Sequence, residues 1–149
     1  MILSFDALSS FENQLTMVDG SFDPLHEGHI EYFRLASGLG IPVICNIAPD
    51  SWTASKHRIL LSQNQRAQII DSIRYIDFVH ASAVSTADVL KQVKPRIYAK
   101  GDDWQKRGGI PAGERESCQS LGIEIVYLNS VLNSSTSLLS RFDSSAEHD

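Results

Sequence analysis

Cysteine is scarce in this chain: only Cys45 and Cys118 occur, with no short metal-type spacing between them. Two cysteines are too few for a disulfide framework, and reduced, structural thiols in a cytoplasmic protein are expected. Long apolar runs are missing too. The opening stretch MILSFDALSSFENQL is broken by Asp6 and Glu12 and has no positive n-region, so neither a secretory leader nor a membrane span is expected. Positive charge is in deficit, with 13 Lys and Arg against 18 Asp and Glu for a net charge of -5. That balance excludes a broad nucleic-acid-binding surface, and any anionic ligand must be held by local cationic or N–H groups. No internal repeat is present, which excludes a solenoid, and serine enrichment near the end is the one compositional bias. The Asn133 sequon is read as accidental, because no leader precedes it.

What is present is alternation. Short β-branched runs suit strands at 15–20, 41–48, 76–80, 96–100 and 123–128, and longer periodic stretches suit helices at 27–39, 62–74, 86–93, 113–121 and 136–142. The segments 49–61 and 100–110 read as loops. Strands alternating with helices predict an α/β, Rossmann-like doubly wound fold, with a five-stranded parallel sheet and helices on both faces. At 149 residues one domain is expected, spanning 15–142, with residues 1–14 as an N-terminal extension and 143–149 as a flexible tail. Residues 1–14 are either an arm for a partner subunit or a plain tail.

Ligands of such sheets sit beyond the C-terminal strand ends, near the switch in strand order. GSFDPLHEGH, after the first strand, lies at that edge; so do KGDD after the fourth and NSSTS after the fifth. Gly20 and Ser21 can bring backbone N–H groups to a phosphate, and Gly28 allows close approach at a helix start. His26 and His29, three residues apart on a first helical turn, can each donate to a phosphoryl oxygen. Asp23 is close enough in sequence to raise a metal reading, but the zincin spacing is absent and no protein-built metal site is expected. Near neutrality both protonation states of these histidines are open, and bound phosphates favour the cation.

GSFDPLHEGH resembles the Gly-Thr/Cys-Phe-Asp-x-x-His-x-Gly-His signature of the cytidylyltransferase-like nucleotidyltransferases. SQNQRAQIIDSIRYIDFV resembles that family's arginine-bearing helix and following strand, KPRIYAKGDDW its fourth strand and loop, and SSTSLL its terminal Ser-Thr-Thr helix start. The resemblance covers about residues 15 to 142 and is nearest to glycerol-3-phosphate cytidylyltransferases and the nucleotidyltransferase domain of ADP-heptose synthases. It implies transfer of a nucleoside monophosphate from ATP or CTP to a sugar- or polyol-phosphate, with Mg2+ as cofactor, in a homodimer.

By the same resemblance His26, His29, Lys56 and Arg66 are catalytic candidates, with His57 and Arg58 able to share the role of Lys56. Gly20, Ser21, Phe22, Gly28, Lys100, Gly101, Asp102, Ser135, Thr136 and Ser137 fall to the nucleotide, and Asp23, Arg74, Asp103 and Trp104 to the acceptor. Asp102 and Asp103 are read either as ligands of a ribose, a hydroxyl or Mg2+, or as a solvated acidic turn, and Trp104 either as a base contact or as a loop anchor. One departure stands out. Glycerol-phosphate cytidylyltransferases carry an arginine five residues before the Ser-Thr, where this chain has Ser130. The stretch GIPAGERESCQSLGIEIVYL resembles the heptose-type domain instead, with Glu114 at the acidic helix start. Cofactor-synthesis adenylyltransferases share the histidine motif, and a nucleotide-binding module without catalysis is the rival from outside the enzyme class.

Overall fold

The computed structural model describes residues 1–129. Five parallel strands, β1 (Thr16–Gly20), β2 (Val43–Ile47), β3 (Phe78–Ala81), β4 (Ile97–Gly101) and β5 (Glu124–Leu128), lie in the order β3-β2-β1-β4-β5. The expected fold class is thus present. β1 is central, and the chain steps outward to β2 and β3 before returning to place β4 on its other side. The switch in strand order therefore falls between the C-terminal ends of β1 and β4.

Alternate residues of these strands build two cores. Val18, Val43, Cys45, Ile47, Val79 and Ala99 pack with Phe33 and Ala36 of α1 (Glu27–Ser37) and with Ala67 and Ile70 of α3 (Gln63–Asp71). On the other face Met17, Ile44 and Tyr98 pack with Val89, Leu90 and Val93 of α4 (Thr86–Val93) and Cys118 of α6 (Ala112–Leu121). β2 is buried at every position, as a β-branched run covered on both faces should be. Ser62 caps α3 by accepting from Gln65 N–H, Ser85 caps α4 by accepting from Asp88 N–H, and Gly122 closes α6 in the left-handed region.

Both expected loops contain helix. α2 (Asp50–Ala54) starts after Pro49, and α5 (Asp102–Lys106) starts at Gly101. Five residues are too few to show a hydrophobic period, so their pattern could not announce them. α3 ends at Asp71, short of the expected residue 74, where the Ser72 hydroxyl turns back onto the Ile69 carbonyl.

Residues 1–14, set apart from the domain in the sequence, are part of its core. Leu3 N–H donates to the Val79 carbonyl at 2.7 Å and Val79 N–H to the Met1 carbonyl at 2.9 Å, extending the β3 edge. A 3-10 helix, Asp6–Phe11, then lies against α4, burying Leu8 completely and packing the Phe11 ring at a tilt against Phe78, with centroids 4.8 Å apart. The expected helix at 136–142 and the tail lie outside the described residues.

Candidate active site

The turn from β1 into α1 is built around one aromatic ring. Phe22, at a positive φ of 54°, folds its ring back over Gly20, where a Cβ would stand 3.0 Å from the ring. Any larger residue at Gly20 would push the ring outward by a few tenths of an ångström. The buried Phe22 ring meets His29 edge-on at 5.0 Å and Phe33 at 5.2 Å, which seats α1 on the core.

His26 is the N-cap of α1. Its Nδ1 accepts from Gly28 N–H at 3.1 Å, while His29 Nδ1 accepts from His26 N–H at 3.2 Å, and the two rings stack at 3.8 Å. Histidines thus satisfy two of the N–H groups that a serine-type capping box would satisfy. An Nδ1 that accepts is unprotonated, so each neutral imidazole carries its proton on Nε2. His26 Nε2 is buried and without a partner. Burial lowers the pKa of both histidines, and for His29 burial, with the neighbouring His26 second, brings it down to about 3. In the unliganded protein the pair consists of neutral N–H donors, in place of the cations that bound phosphate would favour.

Across the strand switch, Asp19 of β1 and Lys100 of β4 form a buried ion pair at 2.6 Å. Tyr98 places its hydroxyl 2.9 Å from Asp19 Oδ2 and 2.7 Å from Oε1 of Glu114, on the first turn of α6. Burial comes first among the causes that push Glu114 up. Lys100 Nζ also lies 4.7 Å from the Trp104 ring centre, so Trp104 covers the lysine from α5. Gly101 caps α5 with its backbone, and Asp102 and Asp103 occupy the first turn, paired with Lys106 at 3.6 Å and Arg107 at 3.7 Å. Lys56 is exposed after α2, 5.0 Å over the Trp52 ring; partial desolvation lowers its pKa, and the charge of Lys100 lowers it further. It is near enough to Lys100 and Asp19 for both charges to act on it. His57 Nδ1 is turned onto the Arg58 carbonyl at 2.9 Å.

Three expected site residues have other employment. Arg66, proposed as catalytic, is 1% exposed; its Nε donates to the Leu61 carbonyl, Nη1 to the Ser21 and Ala48 carbonyls, and Nη2 to Asp50 at 2.6 Å. It ties three chain segments beneath the crevice, and with its donors turned to these partners it acts as a positioning residue. Asp23, assigned to the acceptor, is fully buried, and its carboxylate accepts from Leu60 and Leu61 N–H at 2.8 and 3.0 Å. It anchors the end of the 55–61 segment. Arg74, also assigned to the acceptor, stacks on Tyr75 just before β3 begins. That position is at the N-terminal edge of the sheet, opposite the histidines, because α3 runs antiparallel to the strands.

Ser21 stays at the crevice, its hydroxyl buried without a partner and its carbonyl held by Arg66. Ser130, Ser135, Thr136 and Ser137 lie outside the described residues. Asp19, Tyr98 and Asp50 were not anticipated. An aspartate closing an otherwise apolar strand was the available signal for Asp19, but its partner became legible only once β1 and β4 were known to be neighbours.

A parallel α/β sheet with a glycine-backed turn, paired imidazole donors at a helix start and a buried lysine at the strand switch defines a phosphate- and nucleotide-handling class. The profile of the cytidylyltransferase-like family matches residues 17–121, and the chain belongs to this family of nucleotidyltransferase enzymes. Among curated relatives, the bifunctional protein HldE of Pelobacter propionicus is 28% identical over 127 residues, covering 83% of this chain and 25% of that protein. The chain spans only about a fifth to a third of the length of the HldE proteins it matches. The FAD synthase of Thermococcus kodakarensis is 32% identical over 91 residues, 58% of this chain and 61% of that one. A solved lipopolysaccharide core biosynthesis protein from Thermoplasma volcanium superposes with a TM-score of 0.66 at 26% identity, covering 79% of this chain and 98% of that chain. Among the described residues no helix is long and apolar enough to cross a membrane.

Proposed function

We propose that this protein transfers a nucleoside monophosphate from ATP or CTP to a sugar- or polyol-phosphate, releasing pyrophosphate and making a nucleotide-activated sugar for glycan synthesis. The observation that carries the reading is the stacked pair His26 and His29, with both Nδ1 atoms committed to the backbone and both Nε2–H groups left as neutral donors at a helix start. An oxygen of the acceptor phosphate attacks the α-phosphorus, the bond to the β-phosphate bridging oxygen breaks, and pyrophosphate leaves with that electron pair. No covalent enzyme intermediate is needed. Catalysis is then positioning and charge stabilisation: the imidazole donors act on the oxygens of the reacting phosphorus, and Lys100 and Lys56 offset the triphosphate charge.

Among the described residues no cluster of three His, Cys, Asp or Glu could hold a metal. Asp102 and Asp103 already face Lys106 and Arg107, so this donor set suits a Mg2+ carried on the triphosphate better than a protein-built cage. When bound there, Mg2+ supplies further charge neutralisation to the phosphates. A homodimer working in the cytoplasm completes the proposal.

The HldE relatives and the lipopolysaccharide protein favour the sugar acceptor. The FAD synthase relative favours a second reading, adenylyl transfer to a cofactor precursor such as FMN or phosphopantetheine. Pyrophosphate release measured with Mg2+ and ATP, CTP, GTP or UTP against sugar phosphates, polyol phosphates, FMN and phosphopantetheine separates the two, with His29→Ala as the control. Turnover with a sugar or polyol phosphate supports the first reading; turnover with a cofactor precursor alone replaces it. Nucleotide binding without release on any acceptor supports a non-catalytic module.

A further inference from the structure

Tyr98 offers one hydroxyl to two carboxylates, at 2.9 Å from Asp19 and 2.7 Å from Glu114. A single O–H donates to only one of them, and an ionised carboxylate can only accept. With both carboxylates ionised, one of these short contacts would set lone pairs against each other at a hydroxyl whose residue is fully buried. A second proton removes the conflict. Asp19 already has the Lys100 ammonium 2.6 Å from its other oxygen, a contact made to a carboxylate. The extra proton therefore belongs to Glu114, giving a directed chain in which Glu114 donates to Tyr98, Tyr98 to Asp19, and Lys100 to Asp19.

We propose that this chain regulates the charge presented by Lys100: Tyr98 and Glu114 are positioning residues, and a protonated Glu114 leaves Lys100 opposed by one carboxylate and free to meet a phosphate. The proposal rests on Lys100 facing the phosphates of the nucleotide. When Glu114 loses its proton, two carboxylates share one ammonium, and the site's attraction for a polyphosphate drops. The charged and titratable groups around the chain are few. Asp19, Tyr98 and Lys100 face Glu114 from the sheet, and Cys118 faces it from its own helix. Tyr32 lies behind Asp19, donating to the Ala99 carbonyl and accepting from Asp19 N–H, and Lys56 looks in from the 55–61 segment. Burial pushes Cys118 up to about 11 and both tyrosines well above their ordinary range, while burial, the first cause, raises Glu114 from the ordinary carboxylate range, so Glu114 is the first of these three kinds of group to lose its proton as pH rises.

The test uses the whole protein and two readouts. First, the carboxyl carbon resonances of 13C-glutamate-labelled protein are followed against pH, with Glu114 assigned by its loss in Glu114→Gln. Second, dissociation constants of ATP, CTP and inorganic pyrophosphate are measured from pH 5 to 9 in the wild type, Glu114→Gln and Tyr98→Phe. The expected result is a Glu114 signal that keeps its neutral-acid form to higher pH than the signals of the exposed glutamates. Wild-type affinity should fall about tenfold as that signal titrates, the factor equivalent to one pKa unit of interaction. The fall should be absent in Glu114→Gln, which cannot ionise, and blunted in Tyr98→Phe, which breaks the link to Asp19. Ionisation of the ligands themselves cancels in the comparison. A Glu114 signal that titrates together with the exposed glutamates, or identical pH profiles in wild type and Glu114→Gln, overturns the proposal. Failure of every nucleotide to bind at any pH refutes the nucleotide reading instead, a result the resonance measurement keeps distinct.

Discussion

Acid should destabilise this protein through His29, and the size of the effect follows from its surroundings. In the folded chain His29 has a pKa of about 3, held down by burial first and by the neighbouring His26 second, against an ordinary value of 6.5. The folded value is the lower one, so the unfolded chain binds more protons as pH falls below 6.5, and folding stability is lost in that direction until the folded pKa is reached. Linkage gives a loss of about 2 kcal/mol between pH 8 and pH 5 from this group alone, rising to about 3 kcal/mol at pH 4. Urea unfolding of wild type and His29→Asn at pH 8, 5 and 4 isolates the contribution. Asparagine places an acceptor oxygen near the Nδ1 position and cannot titrate. The variant will be less stable overall, having lost the ring stack, but its stability should fall less steeply with acid, by about 2 kcal/mol at pH 5. Equal acid losses in the two proteins, or an imidazole resonance of His29 that titrates near 6.5, would refute the account of a neutral, buried pair.

Three further outcomes are expected. Leu8→Ala should cost about 2–5 kcal/mol in urea unfolding, since Leu8 is the completely buried residue of the 3-10 helix; a change below about 0.5 kcal/mol would return residues 1–14 to the status of an appendage. Arg66→Met should destabilise by about 3 kcal/mol, because it orphans the Ser21, Ala48 and Leu61 carbonyls at once, and the loss should appear as a lowered urea midpoint. Lys100→Met should weaken ATP or CTP binding at least about tenfold in titration calorimetry, the scale of one charge-assisted phosphate contact, while Arg74→Ala, at the far edge of the sheet, should leave it unchanged.

The parallel sheet was legible because β2 and the neighbouring strands are β-branched runs separated by periodic stretches, and the histidine pair because its spacing falls at a helix start. Other features depend on context that a linear pattern does not carry. α2 and α5 are single turns whose existence rests on Pro49 and Gly101 ending the preceding strand segments, not on any apolar period. Leu3 and Leu8 give no strand or helix signal by themselves, and become core residues because the β3 edge and α4 offer a surface to cover. Arg66 was singled out by its resemblance to a family arginine, and the carbonyls that hold it became legible only in the folded chain. Asp19 and Tyr98 required the strand order itself, since only the adjacency of β1 and β4 brings Asp19 and Lys100 together.

Of the four acceptors that Arg66 engages, three are main-chain carbonyls, those of Ser21, Ala48 and Leu61. A carbonyl is the same whatever side chain its residue carries. The spacing between these segments is therefore fixed by a contact that is blind to their sequence, and side chains along the rim can be exchanged for others without altering the frame from which they hang. Such a frame is suited to diversification: one arginine keeps the walls in place while the lining is rewritten for a new acceptor, and redesign of the lining is best begun at the residues whose side chains Arg66 does not touch.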